Sequence, residues 1–130
     1  MDAWQNSVLG EYLRIEHGFA FKGNFFSDSG KYIVLTPGNF YEEGGFRLRP
    51  NKDRFYSGEI PERYILSKKD LIIAMTEQAE GLLGSPAFIP ESDRYLHNQR
   101  LGLVVPNEGL ADKVFLYYLF NTNIVRQQIR

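Results

Sequence analysis

The stretch DLIIAMT (70–76) is the clearest strand in the sequence, and it decides the fold. Alternate residues of a strand fall on opposite faces, and here both faces are apolar: Leu71, Ile73 and Met75 on one, Ile72 and Ala74 on the other. A strand that is apolar on both faces is buried on both sides, so this segment predicts the central strand of a sheet. The polar sequence TEQAEG (76–81) follows immediately and predicts a loop.

Shorter strand patterns lie on either side of this segment. EYLRIE (11–16) alternates, SDSGKYIVLT (27–36) indicates a turn followed by a strand, and LLGSPAFIP (82–90) and RLGLVVP (100–106) each end at a proline. The ten Phe and eight Tyr also favour strands. We therefore predict an α+β fold, built as a twisted mixed β-sheet or partial barrel of short strands with short helices.

The last segment changes to helical spacing. Phe115, Leu116, Leu119 and Phe120 recur at intervals of three to four residues. The sequence NTN (121–123) predicts the end of this helix and the N-cap of a second one. The second helix carries one apolar stripe: Ile124, Val125 and Ile129. Because no cap, glycine or proline closes it before Arg130, we expect the natural chain to continue into a longer helix.

Composition restricts the classes of protein that fit this chain. Its 130 residues suit one globular domain, 43% hydrophobic and 24% charged. The absence of cysteine excludes disulfides and thiolate metal sites. The chain shows neither a signal peptide nor an apolar run of membrane-spanning length, so we expect a cytoplasmic protein without membrane contact.

Charge is distributed unevenly, although the net charge is only –1. The sequence RLRPNKDR (47–54), the basic loop, holds four basic residues against one acid: Arg47, Arg49, Lys52 and Arg54 against Asp53. A local basic segment on an acidic body is compatible with phosphate contact, and an ordinary solvated loop is the alternative.

Catalytic patterns are not found. The two histidines, His17 and His97, are far apart in sequence, and no carboxylate cluster has metal-ligand spacing. GLLGS (81–85) lacks the spacing and the lysine of a phosphate-binding loop. We therefore predict no catalytic residues, no metal and no cofactor.

Polar loops between apolar strands point instead to binding. Asn and Gln hydrogen-bond adenine in two places, Arg binds guanine and Glu accepts from cytosine, each good pair contributing about 1–3 kcal/mol of discrimination. Three loops carry such residues: Asn39, Phe40 and Tyr41; the basic loop; and Thr76, Glu77 and Gln78. The alternative is ordinary turn chemistry, which uses Asn, Gly and Pro for backbone reasons.

Six motifs in their linear order resemble one target recognition domain of the specificity (S) subunit of type I restriction–modification systems. They are W-x4-LGEYLRIEHGFAFKG from Trp4, TPGNF, LSKKDLIIAMT, PAFIP, LHNQRLGLVVP and VFLYYLFNTNIVRQQI. TEQAEG (76–81) stands where that family often has a Gly-x-x-Gly-rich loop. The resemblance extends from Trp4 to the end of the chain.

The resemblance implies a non-catalytic, sequence-specific reader of double-stranded DNA, which recognises one half of a bipartite target. Its implied partners are methyltransferase (M) subunits and, through them, the translocase–nuclease (R) subunit. A second target recognition domain would come from the full-length chain or from a second copy. Residues 1–111 would form the recognition domain, and residues 112–130 the helices leading into the spacer helix. The alternatives are the recognition domain of a fused methyltransferase–nuclease protein, or a β-rich module that binds protein or small ligands.

The N-Q-R sequence (98–100) resembles a motif shared by domains that read unrelated targets, so it cannot alone separate those targets. If 97–105 is a regular strand, Gln99 faces the core with Leu101 and is a hydrogen-bonded brace, whereas Asn98 and Arg100 point outward. Phe19 and Phe21 are expected in the core. The residues expected to contact DNA are Lys22, Asn39, Phe40, Tyr41, Arg47, Arg49, Lys52, Arg54, Thr76, Glu77, Gln78, Asn98 and Arg100.

Overall fold

The computed structural model of the chain describes residues 13–76, 81–107, 112–122 and 125–127. Its strands are β1 (Leu13–His17), β2 (Phe26–Ser27), β3 (Tyr32–Val34), β4 (Arg54–Tyr56), β5 (Leu71–Ala74), β6 (Pro86–Phe88), β7 (Tyr95–Leu96) and β8 (Leu101–Pro106). The helix α1 spans Lys113–Phe120. Short 3-10 turns span Gly23–Phe25, Pro37–Asn39 and Glu62–Tyr64.

The first sheet is antiparallel and has the strand order β1-β8-β5-β6. Strand β5 lies inside it, where Ile72 is opposite Leu103 of β8 on one side and Ala87 of β6 on the other. All four residues of β5 are buried. The sequence prediction of a central strand buried on both faces is therefore confirmed.

The second sheet has the order β2-β4-β3-β7. Strand β3 pairs antiparallel with β4 and parallel with β7, so that Ile33 lies opposite Tyr95 and Val34 opposite Leu96. The predicted single sheet is thus replaced by two four-stranded sheets, because β2, β3, β4 and β7 pair among themselves. The predicted class is confirmed, since short strands in mixed sheets are accompanied by short helices.

The two faces of β5 contribute to two different hydrophobic clusters. Ile72 and Ala74 pack with side chains of both sheets, including Ile33 and Tyr95. Leu71 and Ile73 pack on the opposite face, in the cluster that contains Leu116, Phe120 and Val125. Fully burying an aliphatic side chain contributes about 1.5–3 kcal/mol. One strand therefore connects the interior between the sheets to the interior beneath α1.

Helix α1 begins after the N-cap residue Asp112 and buries one face. The Asp112 side chain accepts a hydrogen bond from Phe115 N at 2.8 Å, which satisfies a free N–H at the start of the helix. Leu116 and Phe120 are fully buried, whereas the Phe115 side chain is 56% exposed. In the next helical turn Val125 N donates to Thr122 Oγ1 at 3.3 Å, as the predicted second cap requires. Of the predicted stripe, Ile124 and Ile129 lie outside the described residues.

One buried arginine, which follows α1, forms hydrogen bonds with two loops. Arg126 is 7% exposed and donates to Phe120 O at 2.6 Å, and to Gly81 O and Glu42 O, both at 3.0 Å. A buried guanidinium needs such acceptors, because an unpaired buried charge is costly. No helix among the described residues is long and apolar enough to cross a membrane.

Candidate nucleic-acid interface

A cleft of about 210 Å³ is lined by four segments that are distant in sequence. They are the aromatic segment 21–26, the segment 34–39, the end of the basic loop, and residues 98–100, here termed the polar turn. Strands β2, β3 and β4 bring the first three together, and the β3–β7 pairing brings the polar turn alongside β3. Two of the three loops expected to act together, the one around Asn39 and the basic loop, therefore meet here with residues 98–100.

Buried hydrogen bonds hold the basic loop against the second sheet. Asn39 is 1% exposed, and its Oδ1 accepts from Thr36 N at 3.0 Å. Its Nδ2 donates to Arg47 O at 3.0 Å and to Asp53 Oδ1 at 2.8 Å. The other oxygen of Asp53 accepts from Arg49 N at 2.6 Å. Asn39 and Asp53 thus fix both ends of the loop.

The first two arginines of the basic loop lie against the protein itself. Arg47 Nε donates to Gly38 O at 3.1 Å, and the Arg47 guanidinium carbon lies 5.2 Å from the centroid of the Tyr41 ring. Arg49 Nη2 donates to Thr36 Oγ1 at 3.3 Å, and the guanidinium packs directly on Gly38. Both side chains therefore stabilise the loop, and this use restricts how they can meet a ligand.

The remaining cations around the cleft are exposed. Lys52, Arg54 and Arg100 are exposed, and the Arg54 guanidinium carbon lies 5.9 Å from the centroid of the Phe26 ring. The ion pairs of the described residues involve other side chains: Arg14–Glu16, Lys31–Asp93, Arg94–Glu91 and Lys113–Asp70. These three positive charges are thus available to an anionic ligand.

The polar turn precedes β8 and is closed by main-chain and histidine contacts. Leu101 N donates to Asn98 O at 3.0 Å, and His97 Nε2 lies 2.9 Å from Leu101 O. Because a carbonyl can only accept, Nε2 carries the proton in this contact. His97 is 2% exposed, and its burial lowers the pKa of the imidazole below the usual value. The neutral ring therefore stabilises the turn.

Main-chain contacts also attach the polar turn to Gly18 and Phe19, which precede the aromatic segment. Phe19 N donates to His97 O at 2.9 Å, and Gln99 N donates to Phe19 O at 3.0 Å. Gly18 lies so close that a Cβ at this position would be 2.1 Å from Asn98 O. The turn is therefore held backbone to backbone.

The amide side chains of the polar turn are available for binding. Gln99 is exposed and Asn98 is half-buried, and neither side chain forms a hydrogen bond within the described part of the chain. Each primary amide offers two donors and an acceptor. Together with Arg100, the turn presents the residue types that hydrogen-bond base edges.

Two predicted contact residues do not reach the surface. Phe40 is 0% exposed and packs in the core between the sheets, and Asn39 is buried with its amide fully engaged. The expectation that their side chains project toward DNA is therefore wrong: Phe40 fills the core, and Asn39 holds the basic loop.

The other predicted residues differ in their relation to the cleft. Tyr41 is 43% exposed beside Arg47 and does not line the cleft. Lys22 and Thr76 are exposed, and they also lie outside its lining. Glu77 and Gln78 lie outside the described residues.

Sequence reasoning missed several residues that line the cleft, most clearly Gln99. It was expected to face the core, but β8 begins only at Leu101, so strand parity does not apply to the turn before it. Phe21, expected in the core, is half-buried and lines the cleft with Phe26 and Thr36. Three large polar residues in succession, Asn98 to Arg100, were the signal for a turn. Among the described residues no group of three His, Asp or Glu side chains could hold a metal ion.

Comparison with known proteins identifies the family. Residues 1–130 match the model of the type I restriction modification DNA specificity domain. The chain is 27% identical over 117 residues to the type I restriction enzyme EcoBI specificity subunit of Escherichia coli, covering 90% of this chain and 22% of that protein.

Two solved structures share the fold. The HsdS subunit from Thermoanaerobacter tengcongensis superposes with a TM-score of 0.58 at 18% identity, covering 93% of this chain and 27% of that one. A structure from work on complex assembly and conformational transition of the type I R-M system gives 0.57 at 17% identity, covering 87% and 26%. The chain thus spans about a quarter of the length of these relatives. It belongs to the type I restriction modification DNA specificity domain family.

Proposed function

We propose that this chain is a target recognition domain that reads one half of a bipartite double-stranded DNA site for a type I restriction–modification complex. One observation carries the proposal: three exposed cations meet, at one cleft, two amides that form no hydrogen bond within the described residues. The cations are Lys52, Arg54 and Arg100, and the amides are Asn98 and Gln99. Cations supply sequence-independent attraction to phosphates, and amides discriminate between base edges. The family description, a DNA specificity domain, supports the same assignment.

The chemistry of methylation and cleavage is assigned to partner subunits. In this proposal residues 1–111 recognise DNA, and residues 112–130 lead into a spacer helix that holds methyltransferase subunits and, through them, the translocase–nuclease subunit. The related structure from work on assembly of the type I R-M system supports such a partnership. The chain itself carries recognition and no catalytic step. A single domain with a net charge of –1 is expected to bind DNA weakly alone, with Kd of about 10⁻⁴–10⁻⁶ M.

The test is a salt titration of DNA binding by the full-length specificity protein assembled with its methyltransferase. Each phosphate contact contributes about 0.9 to the slope of log K against log salt. A Lys52→Ala/Arg54→Ala double variant should weaken binding to all duplexes and reduce the slope by about 2. Lys68→Ala is the single-charge control, because Lys68 is exposed and does not line the cleft.

The outcome separates DNA reading from the binding of protein or small ligands. An unchanged slope in the double variant would remove the basic loop from the interface. Binding with no salt dependence, or no binding at any salt, would favour the β-rich module that binds other ligands. Assembly of the variant complex, measured by gel filtration, should be unchanged.

A further inference from the structure

The cleft is too small for a duplex but suits one planar ring. Its volume of about 210 Å³ lies below the roughly 300–1,000 Å³ of pockets that bury drug-sized ligands. The major groove of B-DNA alone is about 12 Å wide. Of a DNA target, therefore, only a single nucleotide can enter, while the rest of the duplex stays outside.

The lining changes from interior to rim. Val34 and Asn39 are buried, and Phe21 and Phe26 are half-buried. Three polar residues of the lining are also half-buried: Thr36, Asp53 and Asn98. The inner wall therefore combines aromatic surface with polar groups. The exposed lining residues are Lys52, Arg54, Gln99 and Arg100. Aromatic side chains offer surfaces against which bases stack. An interior of aromatic and polar side chains with a cationic rim matches a base with its sugar-phosphate outside.

A phosphate group fits the interior less well than a base does. The Asp53 carboxylate lines the cleft and would repel a phosphate, although it is a good acceptor for the amino group of a base. Its two oxygens already accept from Asn39 Nδ2 and Arg49 N, and each oxygen retains capacity for a second bond. The phenylalanine rings provide no hydrogen-bond donor or positive charge for a hydrated anion.

We propose that the cleft binds a single unpaired nucleobase. The base lies beside the Phe26 ring and within reach of the Gln99 and Asn98 amides that line the cleft. This role presupposes the proposed DNA recognition. The base is extruded from the duplex target. Lys52, Arg54 and Arg100 meet the flanking phosphates at the rim. Extruding a base costs unpairing and unstacking energy, and this cost is smallest for a mismatched base.

Mismatch binding tests this proposal in the full-length protein assembled with its methyltransferase. Once the target is defined by mapping methylated sites, duplexes are prepared with one mismatch at each position of the half-site in turn. Mismatches at most positions should weaken binding. A mismatch that replaces the partner of the extruded base, and leaves that base intact, should tighten binding by about tenfold.

Variants assign the gain to this cleft. A methyltransferase also extrudes its own target base, so a mismatch there can tighten binding as well. The mismatch position that belongs to the cleft is the one at which the tighter binding is lost in both Phe26→Leu and Gln99→Ala. Glu62→Ala is the control, because it removes an exposed polar side chain outside the cleft and should keep the gain. Phe26 also contacts the Tyr56 ring, whereas Gln99 is exposed, so Gln99→Ala distinguishes loss of the cleft from loss of the fold.

The possible results are distinct. A gain that depends on both cleft residues supports the proposal. Salt-dependent, sequence-specific binding with no cleft-dependent gain overturns it and leaves the proposed function intact. Absence of any specific DNA binding overturns both. Free nucleosides serve as a separate arm: binding of a nucleoside that Gln99→Ala abolishes, without a positional gain, would overturn extrusion from the duplex and assign the base to a free nucleotide.

Discussion

The basic loop and the polar turn line the same cleft but are held in place by different groups. Side chains hold the basic loop, since Asn39 and Asp53 bond to its main chain and Arg49 packs on Gly38. Main-chain atoms hold the polar turn, through the hydrogen bonds of Phe19 to His97 and Gln99. A loop held by side chains can adapt when one of them moves, whereas a turn held backbone to backbone cannot. The cleft therefore combines an adaptable wall with a rigid one.

The largest effect is expected where the rigid wall is forced apart. Gly18→Ala places a Cβ 2.1 Å from Asn98 O and 2.4 Å from Asn98 C, so main-chain segments must separate. We expect the free energy of unfolding, measured by urea denaturation, to fall by about 3 kcal/mol. Gly23→Ala is the control, because nothing lies within 4 Å of a Cβ there. A loss no larger than that of the control would contradict the backbone attachment of the turn.

Removal of the buried amide that holds the adaptable wall should have the next largest effect. Asn39→Ala deprives Thr36 N, Arg47 O and Asp53 Oδ1 of a partner. The expected loss is about 2 kcal/mol in the free energy of unfolding, because buried groups left without a bond are costly. Asn51→Ala, at an exposed position of the same loop, should change stability by less than about 0.5 kcal/mol. Equal losses in the two variants would show that the amide does not hold the loop.

The same glycine substitution on the adaptable side should cost less. A Cβ at Gly38 would lie 2.2 Å from Arg49 Nη2 and 2.3 Å from Arg49 Cζ, which form the end of a flexible side chain. Arg49 Nε is buried and has no hydrogen-bond partner among the described residues, so movement of the guanidinium breaks only the 3.3 Å bond from Nη2 to Thr36 Oγ1. We expect Gly38→Ala to lower the free energy of unfolding by about 1 kcal/mol or less. A loss as large as that of Gly18→Ala would remove the difference between the two walls.

The smallest expected effect is a pH dependence of the free energy of unfolding, which arises from His97 beside the polar turn. Burial lowers the pKa of His97 in the folded state, so the unfolded chain binds more protons as the pH falls below the usual histidine pKa of about 6.5. Stability should therefore decrease from pH 7 toward pH 5.5. His97→Gln should show a shallower decrease in urea denaturation. Identical pH slopes in the two proteins would indicate that His97 does not control this dependence.

The sequence predicted most of the scaffold because its local patterns coincide with its burial. DLIIAMT (70–76) is apolar on both faces, and β5 is indeed covered by one cluster on each face. The helical spacing of four apolar residues likewise predicted α1: Phe115, Leu116, Leu119 and Phe120. Phe115 proved exposed, and the N-cap Asp112 was not predicted. The division into two sheets was not predictable, because it depends on the pairing of β3 with β7, which no local pattern specifies.

The candidate site was predicted less well, because exposure of a polar residue depends on its neighbours in space. Asn39 and Gln99 are both amides beside a strand, and each was assigned to the wrong environment. Asn39 is buried because the basic loop folds back over it, and Gln99 is exposed because the strand begins two residues later. Arg49 shows the same difficulty, since a glycine at position 38 allows its guanidinium to pack inward.

The parallel pairing of β3 with β7 has a consequence for how the chain acquires its structure. Ile33 must pair with Tyr95 before the polar turn can take its place in the cleft. Pairing over such a sequence separation is slow because a long loop must close first. On the ribosome, the cleft would therefore be completed late, after the polar turn has emerged. Nascent chains arrested before residue 95 would carry the basic loop without its rigid counterpart.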